Sequence, residues 1–308
     1  MSTGTDAYDT TGAIRISVVI PVFNEELNVE ELHQRIAAVL TTADVEFLFV
    51  DDGSTDETPK RLAELAASDS RLRLIRFRRN YGQTAALSAG IDHARGEIIV
   101  PMDGDLQNDP ADVPRLLAKL DEGYDVVSGW RVDRQDAFHR RLPSTIANRI
   151  ISWISGVHLH DYGCSLKAYR RSVLKEVRLY GEMHRFVPIY ASWQGARVTE
   201  MPVQHHARTR GKSNYGMERT FKVVLDLIVV KFLSSYATKP IYVFGGFGFA
   251  SFLLAIGAFV MMIYYKFLAL PIDRKSFIQT PLPMVVVMFT LVGCLSIMLG
   301  LVAELTVR

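Results

Sequence analysis

The sequence predicts an α/β protein with an open, mostly parallel sheet, followed by two membrane-spanning helices. Two observations indicate this fold class. Apolar, β-branched runs alternate with segments of helical periodicity over the first 130 residues, which is the pattern of repeated β-α-β units. From Ile241 onward the chain is nearly uncharged and contains two long apolar runs, each sufficient to cross a bilayer as a helix.

The strands of the predicted sheet are recognisable as short apolar runs. The first, 16–21 (ISVVIP), is of the type that is buried on both faces of a parallel sheet. In chain order the predicted elements are a strand at 16–21, a helix at 25–40, a strand at 47–50, a further helix, a strand at 72–77, a helix at 84–93 and a strand at 97–101.

Composition narrows the function classes. The 308 residues suffice for one catalytic domain and a smaller appendage, and 35 Lys+Arg against 33 Asp+Glu argue against a general nucleic-acid binder. Only two cysteines occur, far apart and without a CxxC pair, which favours neither a disulfide framework nor a cysteine zinc site and fits a reducing cytoplasmic setting. The polar, acidic first 13 residues do not resemble a signal peptide and predict a disordered tail.

The C-terminal region is predicted to hold the chain in a membrane. Spans are expected at about 241–265 and 283–303, the alternative being a pair of buried core helices. Residues 220–236 predict an amphipathic helix on the membrane surface, and 139–154 a second one, for which an ordinary surface helix is equally compatible with the periodicity. The predicted domains are therefore a tail (1–13), a catalytic domain (14–219), a juxtamembrane helix (220–239) and a transmembrane region (240–308).

Polar side chains follow three of the predicted strands. Asn24-Glu25 follows the first, 51–56 (DDGSTD) the second, and 103–107 (DGDLQ) the fourth. Ligands of open α/β sheets bind at the carboxyl ends of strands, and acids that meet there repel one another unless a cation shares the site. Asp103 and Asp105, with Gln107 as a neutral oxygen donor, are the ligand types that Mg²⁺ or Mn²⁺ prefers, often together with phosphate oxygens.

The chain as a whole resembles the family-2 GT-A glycosyltransferases, in particular the polyprenyl-phosphate branch with dolichol-phosphate mannose synthases and bacterial undecaprenyl-phosphate sugar transferases. The segment at 161–171 is most similar to the bacterial members, including those that transfer formamido-arabinose. The resemblance rests on VVIPVFNEE (18–26), VDDGSTDET (50–58), NYGQTAALSAGI (80–91), MDGDLQNDP (102–110), DYGCSLKAYRR (161–171) and RTRGKSNYG (208–216), followed by two spans.

This resemblance implies a Rossmann-like GT-A fold and a nucleotide-sugar site. It implies that Asp51 or Asp52 binds the base or ribose, although one of the two carboxylates is equally compatible with a turn or helix cap. Asp105 is expected to act in catalysis as well as in metal binding. The residues expected at the nucleotide sugar are Pro21, Phe23, Glu25, Asp51, Asp52, Asp103 and Gly104, and those expected at a Mg²⁺ or Mn²⁺ ion are Asp103, Asp105 and Gln107.

The expected acceptor is a polyprenyl phosphate, which is already an anion and needs no general base. The site instead needs cations that bring two anionic partners together. Asp161 is expected on the acceptor side of the cleft and, with Arg131, among the catalytic residues. The resemblance also implies inversion at the anomeric carbon. The expected acceptor-phosphate residues are Arg131, Arg140, Ser144, Arg210 and Lys212, some of which could instead bind lipid head groups or be solvated.

Two rival functions are disfavoured. A processive polysaccharide synthase would carry a QxxRW motif and more than two spans, and this sequence contains no such motif. A non-catalytic scaffold would be expected to lose the metal acids, whereas Asp103 and Asp105 are both present. The histidine pairs at 158/160 and 205/206 lack the spacing of a metal site. UDP-glucose is the default donor, with UDP-linked amino-arabinose derivatives, UDP-GalNAc and GDP-mannose as alternatives, for a cell-envelope glycan. Because nucleotide sugars are cytoplasmic, the catalytic domain should face the cytoplasm from the inner membrane, with 266–282 outside. Relatives continue beyond the position of Arg308, so the sequence is expected to end early or to be shortened there.

Overall fold

The computed structural model describes residues 14–42, 44–132, 148–149, 151–153, 155–174, 183–207, 239–268 and 276–307. They divide into an N-terminal and a C-terminal unit. The described part of the N-terminal unit contains seven strands in one sheet, in the order β3-β2-β1-β4-β6-β5-β7. The strands are β1 Ile16–Val22, β2 Val45–Asp51, β3 Leu72–Arg76, β4 Ile98–Pro101, β5 Val126–Arg131, β6 Lys167–Arg170 and β7 Val198–Val203.

The predicted open, mostly parallel sheet is confirmed. Strand β6 is antiparallel to both of its neighbours, β4 and β5, and the other paired strands run parallel. The predicted first four strands are all present, each within two residues of its expected bounds. Strand β5 pairs with β7 along its whole length, from Val126 opposite Val198 to Arg131 opposite Val203.

Helices cover both faces of the sheet, which explains why β1 and β2 read as continuous apolar runs. Val18 and Ile20 of β1 pack against one set of helices, and Val19 packs against the other set. The first set consists of α1 Val29–Val39, α2 Thr58–Ser68 and α4 Val113–Asp121. The second set contains α3 Gln83–His93 and α6 Val187–Trp193. A short helix, α5 Arg171–Leu174, follows β6.

The first helix starts later than its sequence pattern predicts. The amides of Asn28 and Val29 both donate to the carbonyl oxygen of Glu25, at 2.9 and 3.1 Å. The Asn28 side chain also donates to the Glu25 carboxylate. Residues 25–28 therefore form a turn at the end of β1, and Glu25 stays at the edge of the sheet instead of entering α1.

The described part of the C-terminal unit consists of two long apolar helices, α7 Ile241–Ile263 and α8 Leu282–Val307. A wider π-helical turn, Tyr264–Leu268, continues α7, and a 3₁₀ turn, Phe277–Gln279, precedes α8. Both helices are long and apolar enough to cross a membrane, and they correspond to the two predicted spans. Large apolar side chains such as Phe249 and Met298 are more than half exposed, as is expected of surfaces that lipid covers.

Several predicted segments fall outside the described residues. These are the tail at 1–13, the juxtamembrane helix at 220–236 and the middle of the 266–282 connection. Of the amphipathic helix predicted at 139–154, residues 148, 149 and 151–153 are described, and they are helical.

Candidate active site

The ends of the three central strands lie side by side, as predicted from their polar sequences. In the parallel register Val22, the last residue of β1, is paired with Asp51, the last residue of β2. On the other side Val19 of β1 pairs with Pro101, where β4 ends. The loops that follow these strands, 23–28, 52–57 and 102–109, therefore form one edge of the sheet.

The loop after β4 alternates strictly between buried and partly exposed side chains. Met102, Gly104, Leu106 and Asn108 are buried, whereas the three predicted metal ligands between them are partly exposed. A Cβ atom at Gly104 would lie 2.7 Å from Cγ1 of Val22, so this position needs a glycine for the loop to pack on β1. The alternation directs the oxygen-bearing side chains of one loop away from the core; these are Asp103, Asp105 and Gln107.

The carboxylates of Asp103 and Asp105 each accept a hydrogen bond from a neutral N–H group. Nε2 of Gln83 donates to Oδ1 of Asp103 at 2.7 Å, and the amide of Gln107 donates to Oδ1 of Asp105 at 3.2 Å. Two carboxylates and an amide suit a hard divalent cation. Within the described residues no group of three or more His, Cys, Asp or Glu side chains is placed to hold a metal. Hard divalent cations of this kind also take phosphate oxygens as ligands.

Asp51 and Asp52 are both buried, and the structure gives them different partners. Oδ1 of Asp52 accepts the amide of Tyr81 at 2.7 Å, and its Oδ2 accepts that of Gly82 at 2.8 Å. Burial raises the pKa of Asp52, and the two N–H donors oppose that shift. Oδ1 of Asp51 accepts the amide of Ser54 at 2.9 Å. Each of the two carboxylates thus accepts backbone amides of a turn, which is the alternative role that the sequence left open for one of them.

Asp51 also faces the end of β3. Its Oδ2 lies 3.5 Å from Nε of Arg76, the last residue of that strand. The Arg76 side chain is 62% exposed, so it is the solvent-accessible member of this pair.

The loop after β1 is tied to the loop after β2. The amide of Asn24, which has φ 55°, donates to Oγ of Ser54, and Oδ1 of Asn24 accepts the amide of Thr55, both at 2.9 Å. The amide of Glu25 donates to Oγ1 of Thr58, also at 2.9 Å. These bonds hold the predicted nucleotide residues of β1 against the second loop; Pro21, Phe23 and Glu25 are all partly exposed there.

Arg131 and Asp161, both predicted site residues, are brought together. Nε and Nη2 of Arg131 donate to the two carboxylate oxygens of Asp161, at 2.7 and 3.0 Å. Their side chains are 13% and 3% exposed, so the pair is largely removed from water. The amide of Gly163 donates to Asp161 Oδ1 at 3.0 Å as well. Asp161 therefore fixes the guanidinium of Arg131 in one plane.

The first residue of β6, Lys167, is a buried lysine. Lys167 is 3% exposed, and its ammonium donates to the carbonyl oxygens of Tyr162 and Cys164. Burial lowers the pKa of Lys167 and raises that of the Cys164 thiol to about 11. A thiol with such a pKa is protonated at neutral pH, so Cys164 is a packing residue and not a nucleophile.

The two histidines of the first pair differ in their surroundings. His158 is exposed, and the His160 ring stacks on Trp130 with centroids 4.2 Å apart while its Nδ1 pairs with Glu200. Of the two tryptophans that the sequence assigns to packing or the membrane interface, Trp193 is partly buried and Trp153 is 83% exposed.

Residues 204–206, which we name the strap, were not recognised as part of the site from sequence. His205 forms an isolated antiparallel bridge with Asn108, and the His206 amide donates to the carbonyl oxygen of Gln107 at 2.9 Å. Nε2 of His206 lies 3.0 Å from Oδ2 of Asp109. The strap thereby braces the loop that holds the predicted metal ligands.

Gln83 is the other site residue that sequence reasoning missed. Gln83 lies in the segment that follows the third strand. Because ligands of open α/β sheets bind at the carboxyl ends of strands, a polar residue in this segment could have been identified from the sequence. Four predicted acceptor-phosphate residues lie outside the described part of the chain; they are Arg140, Ser144, Arg210 and Lys212.

Comparison with known proteins gives concordant matches. Residues 17–178 match the family described as "Glycosyl transferase family 2". A dodecaprenyl-phosphate galacturonate synthase from Rhizobium johnstonii is 43% identical over 311 residues, which covers 97% of this chain and 90% of that protein.

Solved structures with a similar fold include two that were determined with a bound nucleotide or nucleotide sugar. Glucosyl-3-phosphoglycerate synthase from Mycobacterium tuberculosis, in complex with Mn²⁺, uridine diphosphate and phosphoglyceric acid, superposes with a TM-score of 0.54 at 19% identity, covering 71% of this chain and 77% of that chain. S. aureus TarS 1–349 in complex with UDP-GlcNAc gives 0.54 at 20% identity, covering 72% and 68%. At these identities the likeness shows a shared GT-A fold.

Proposed function

The chain belongs to glycosyl transferase family 2, and we propose from this premise that it transfers a sugar from a nucleotide diphosphate to a polyprenyl phosphate. The observation that carries the donor half is the placement of Asp103, Asp105 and Gln107 on one side of a single loop. That loop follows β4, beside the ends of β1 and β2 where nucleotides bind in open α/β sheets. The 43% identity to a dodecaprenyl-phosphate sugar synthase supports the acceptor half.

On the donor side, the carboxylates of Asp103 and Asp105 and the amide of Gln107 would hold Mg²⁺ or Mn²⁺ together with the diphosphate. When bound, such an ion neutralises charge on the departing nucleotide diphosphate. The Gln83 and Gln107 N–H groups keep the two carboxylates oriented toward it. Pro21, Phe23 and Glu25 line the neighbouring edge, where the nucleoside is proposed to lie.

On the acceptor side, the lipid phosphate is itself the nucleophile, so no general base is needed to remove a proton. The protein instead has to bind this anion and orient it toward the donor sugar. The guanidinium of Arg131 is held rigidly by Asp161. We assign Arg131 to one phosphate oxygen, as the family resemblance implies, and Asp161 to the orientation of Arg131. The remaining cations are proposed to be Arg140, Arg210 and Lys212, with Ser144 as a hydroxyl donor. The family resemblance implies inversion at the anomeric carbon.

The name of the 43% identical relative points to a more specific donor sugar than the family resemblance does. UDP-glucose is the donor expected from the sequence, whereas the relative that covers nearly the whole chain is named for galacturonate. We therefore propose UDP-galacturonate as the first donor to test and UDP-glucose as the second, with GDP-mannose as the alternative nucleotide.

The setting proposed for this reaction is the cytoplasmic face of the inner membrane. The lipid acceptor resides in a bilayer, and α7 and α8 are candidate spans. Nucleotide sugars are cytoplasmic, so the catalytic unit would lie on that side, with the middle of the 266–282 connection on the other. The domain bounds proposed are 14–219, 220–239 and 240–308, and association through α7 and α8 would give a homo-oligomer.

A direct assay tests this function. The detergent-purified full chain is incubated with Mn²⁺, undecaprenyl phosphate and UDP-galacturonate, UDP-glucose, UDP-GalNAc or GDP-mannose, and the lipid product is identified by mass spectrometry. We expect one donor to give a polyprenyl monophosphate sugar, and the product to disappear on chelation with EDTA. Absence of sugar on the lipid phosphate with every donor would refute the proposal.

A further inference from the structure

Gln83 follows β3 and Asp103 follows β4, and their side chains meet at the edge of the sheet. Gln83 is the first residue of α3, and its Nε2 donates to Oδ1 of Asp103 over 2.7 Å. Within the described residues, Oδ2 of Asp103 accepts no hydrogen bond. An amide donor orients a carboxylate without adding positive charge, whereas Lys or Arg at the same place would compete with a cation.

The backbone that precedes Gln83 is held by Asp52. This carboxylate is 3% exposed, and each of its oxygens accepts one amide hydrogen, from Tyr81 at 2.7 Å and from Gly82 at 2.8 Å. Gly82 has φ 96° and ψ 156°, a backbone conformation that residues with a Cβ atom rarely adopt. Asp52 thus holds the chain at the point where it turns into α3, one residue before Gln83.

The same turn is packed tightly against the loop after β2. A Cβ atom at Gly53, which has φ 73°, would lie 2.4 Å from the carbonyl carbon of Arg79 and 2.7 Å from the amide nitrogen of Asn80. Only a glycine permits that approach. The turn at 79–82 is therefore fixed both by packing and by two hydrogen bonds, which limits where the Gln83 side chain can reach.

We propose that Gln83 is a positioning residue that orients the Asp103 carboxylate for the divalent ion, and that Asp52 acts through the turn that carries Gln83. The inference rests on the proposed function in one respect, namely that an ion is held by Asp103 and Asp105. It assigns Asp52 a role different from the ribose or base contact that the family resemblance implies.

The test measures Mn²⁺ binding and not only turnover. Mn²⁺ is titrated into the detergent-purified full chain with UDP present and no acceptor, and free Mn²⁺ is followed by electron paramagnetic resonance. Loss of a hydrogen bond to a metal-holding group typically weakens metal binding by about 10- to 100-fold, so Gln83→Leu should raise the Mn²⁺ dissociation constant by about 10-fold. Gln34→Leu, at an exposed glutamine of α1, is the matched control and should leave it unchanged.

A second readout separates positioning from general damage. The transfer rate of Gln83→Leu should recover toward that of the wild type as Mn²⁺ is raised, while the variant, like Gln34→Leu, unfolds in a single cooperative transition without metal. Asp52→Asn, if it folds, should weaken Mn²⁺ binding in the same direction. Wild-type Mn²⁺ affinity in Gln83→Leu, or in folded Asp52→Asn, would overturn the corresponding part of the proposal. Because no acceptor enters the titration, failure of sugar transfer to lipid phosphate leaves this result interpretable.

Discussion

Arg131 and Asp161, thirty residues apart in sequence, form a two-point ion pair in which Nε and Nη2 each reach a different carboxylate oxygen. Together the two side chains carry no net charge, so this pair by itself does not attract a lipid phosphate over a distance. Its contribution is a guanidinium of fixed orientation at the end of β5. Long-range attraction would have to come from the other cations proposed for the acceptor.

This pair should show strong energetic coupling. Removal of one partner of a buried pair typically costs about 3–5 kcal/mol, because the remaining charge loses its compensation. We expect Arg131→Ala and Asp161→Ala each to lower the free energy of unfolding in urea by that order, and the double variant to lose clearly less than the sum. The exposed pair Arg15–Asp121, with side chains 48% and 55% exposed, is the control, where coupling should stay below about 1 kcal/mol. Additive losses at Arg131 and Asp161 would contradict the role given to Asp161.

The proposed metal role makes Asp105 indispensable for turnover and dispensable for folding. Its side chain is partly exposed, so Asp105→Ala opens no buried cavity. We expect sugar transfer to fall by at least about 100-fold, in the range seen when a single preorganised group that stabilises developing charge is removed, while the protein still folds. Asp92→Ala, at an exposed position of α3, should retain full transfer. Turnover like that of the wild type in Asp105→Ala would remove the metal assignment.

Two glycines with positive φ should respond differently to the same substitution. Gly195, with φ 89°, has open space where a Cβ would go, so alanine there meets only backbone strain, of order 1–3 kcal/mol. Gly53→Ala adds a collision with the backbone of Arg79 and Asn80. Its melting temperature should therefore fall further than that of Gly195→Ala. Equal shifts in the two variants would show that the turn at 79–80 moves freely.

Asp69 should make the catalytic unit sensitive to acid. Hydrogen bonds from Arg71 hold its pKa at about 2, below the ordinary 3.8. The folded-state pKa is the lower one, so the stabilisation is present above pH 4 and is lost as the pH falls toward 2; it amounts to about 2 kcal/mol. Asp69→Asn should thus be destabilised at pH 7, and the difference from the wild type should shrink between pH 4 and 2.

The sequence was sufficient for the parts of the fold that depend on local pattern. The runs at β1 and β2 and the two apolar helices can be recognised because burial or lipid contact demands many apolar residues in succession. The polar residues that follow β4 likewise led to Asp103 and Asp105. The antiparallel strand β6 was missed, because its four residues carry no sign of which neighbour they pair with. The Gln83–Asp103 bond and the strap were also missed, since each joins positions distant in sequence.

The strap has a consequence for how the protein is made. The His206 amide that braces Gln107 is 99 residues further along the chain, whereas strands β1 to β4 are complete by Pro101. Domains generally fold as units. The strap begins directly after β7, whose last residue is Val203, so the segment that completes the described sheet also supplies the brace for this loop. The loop that carries the predicted metal ligands is therefore secured only when the catalytic unit is almost fully synthesised.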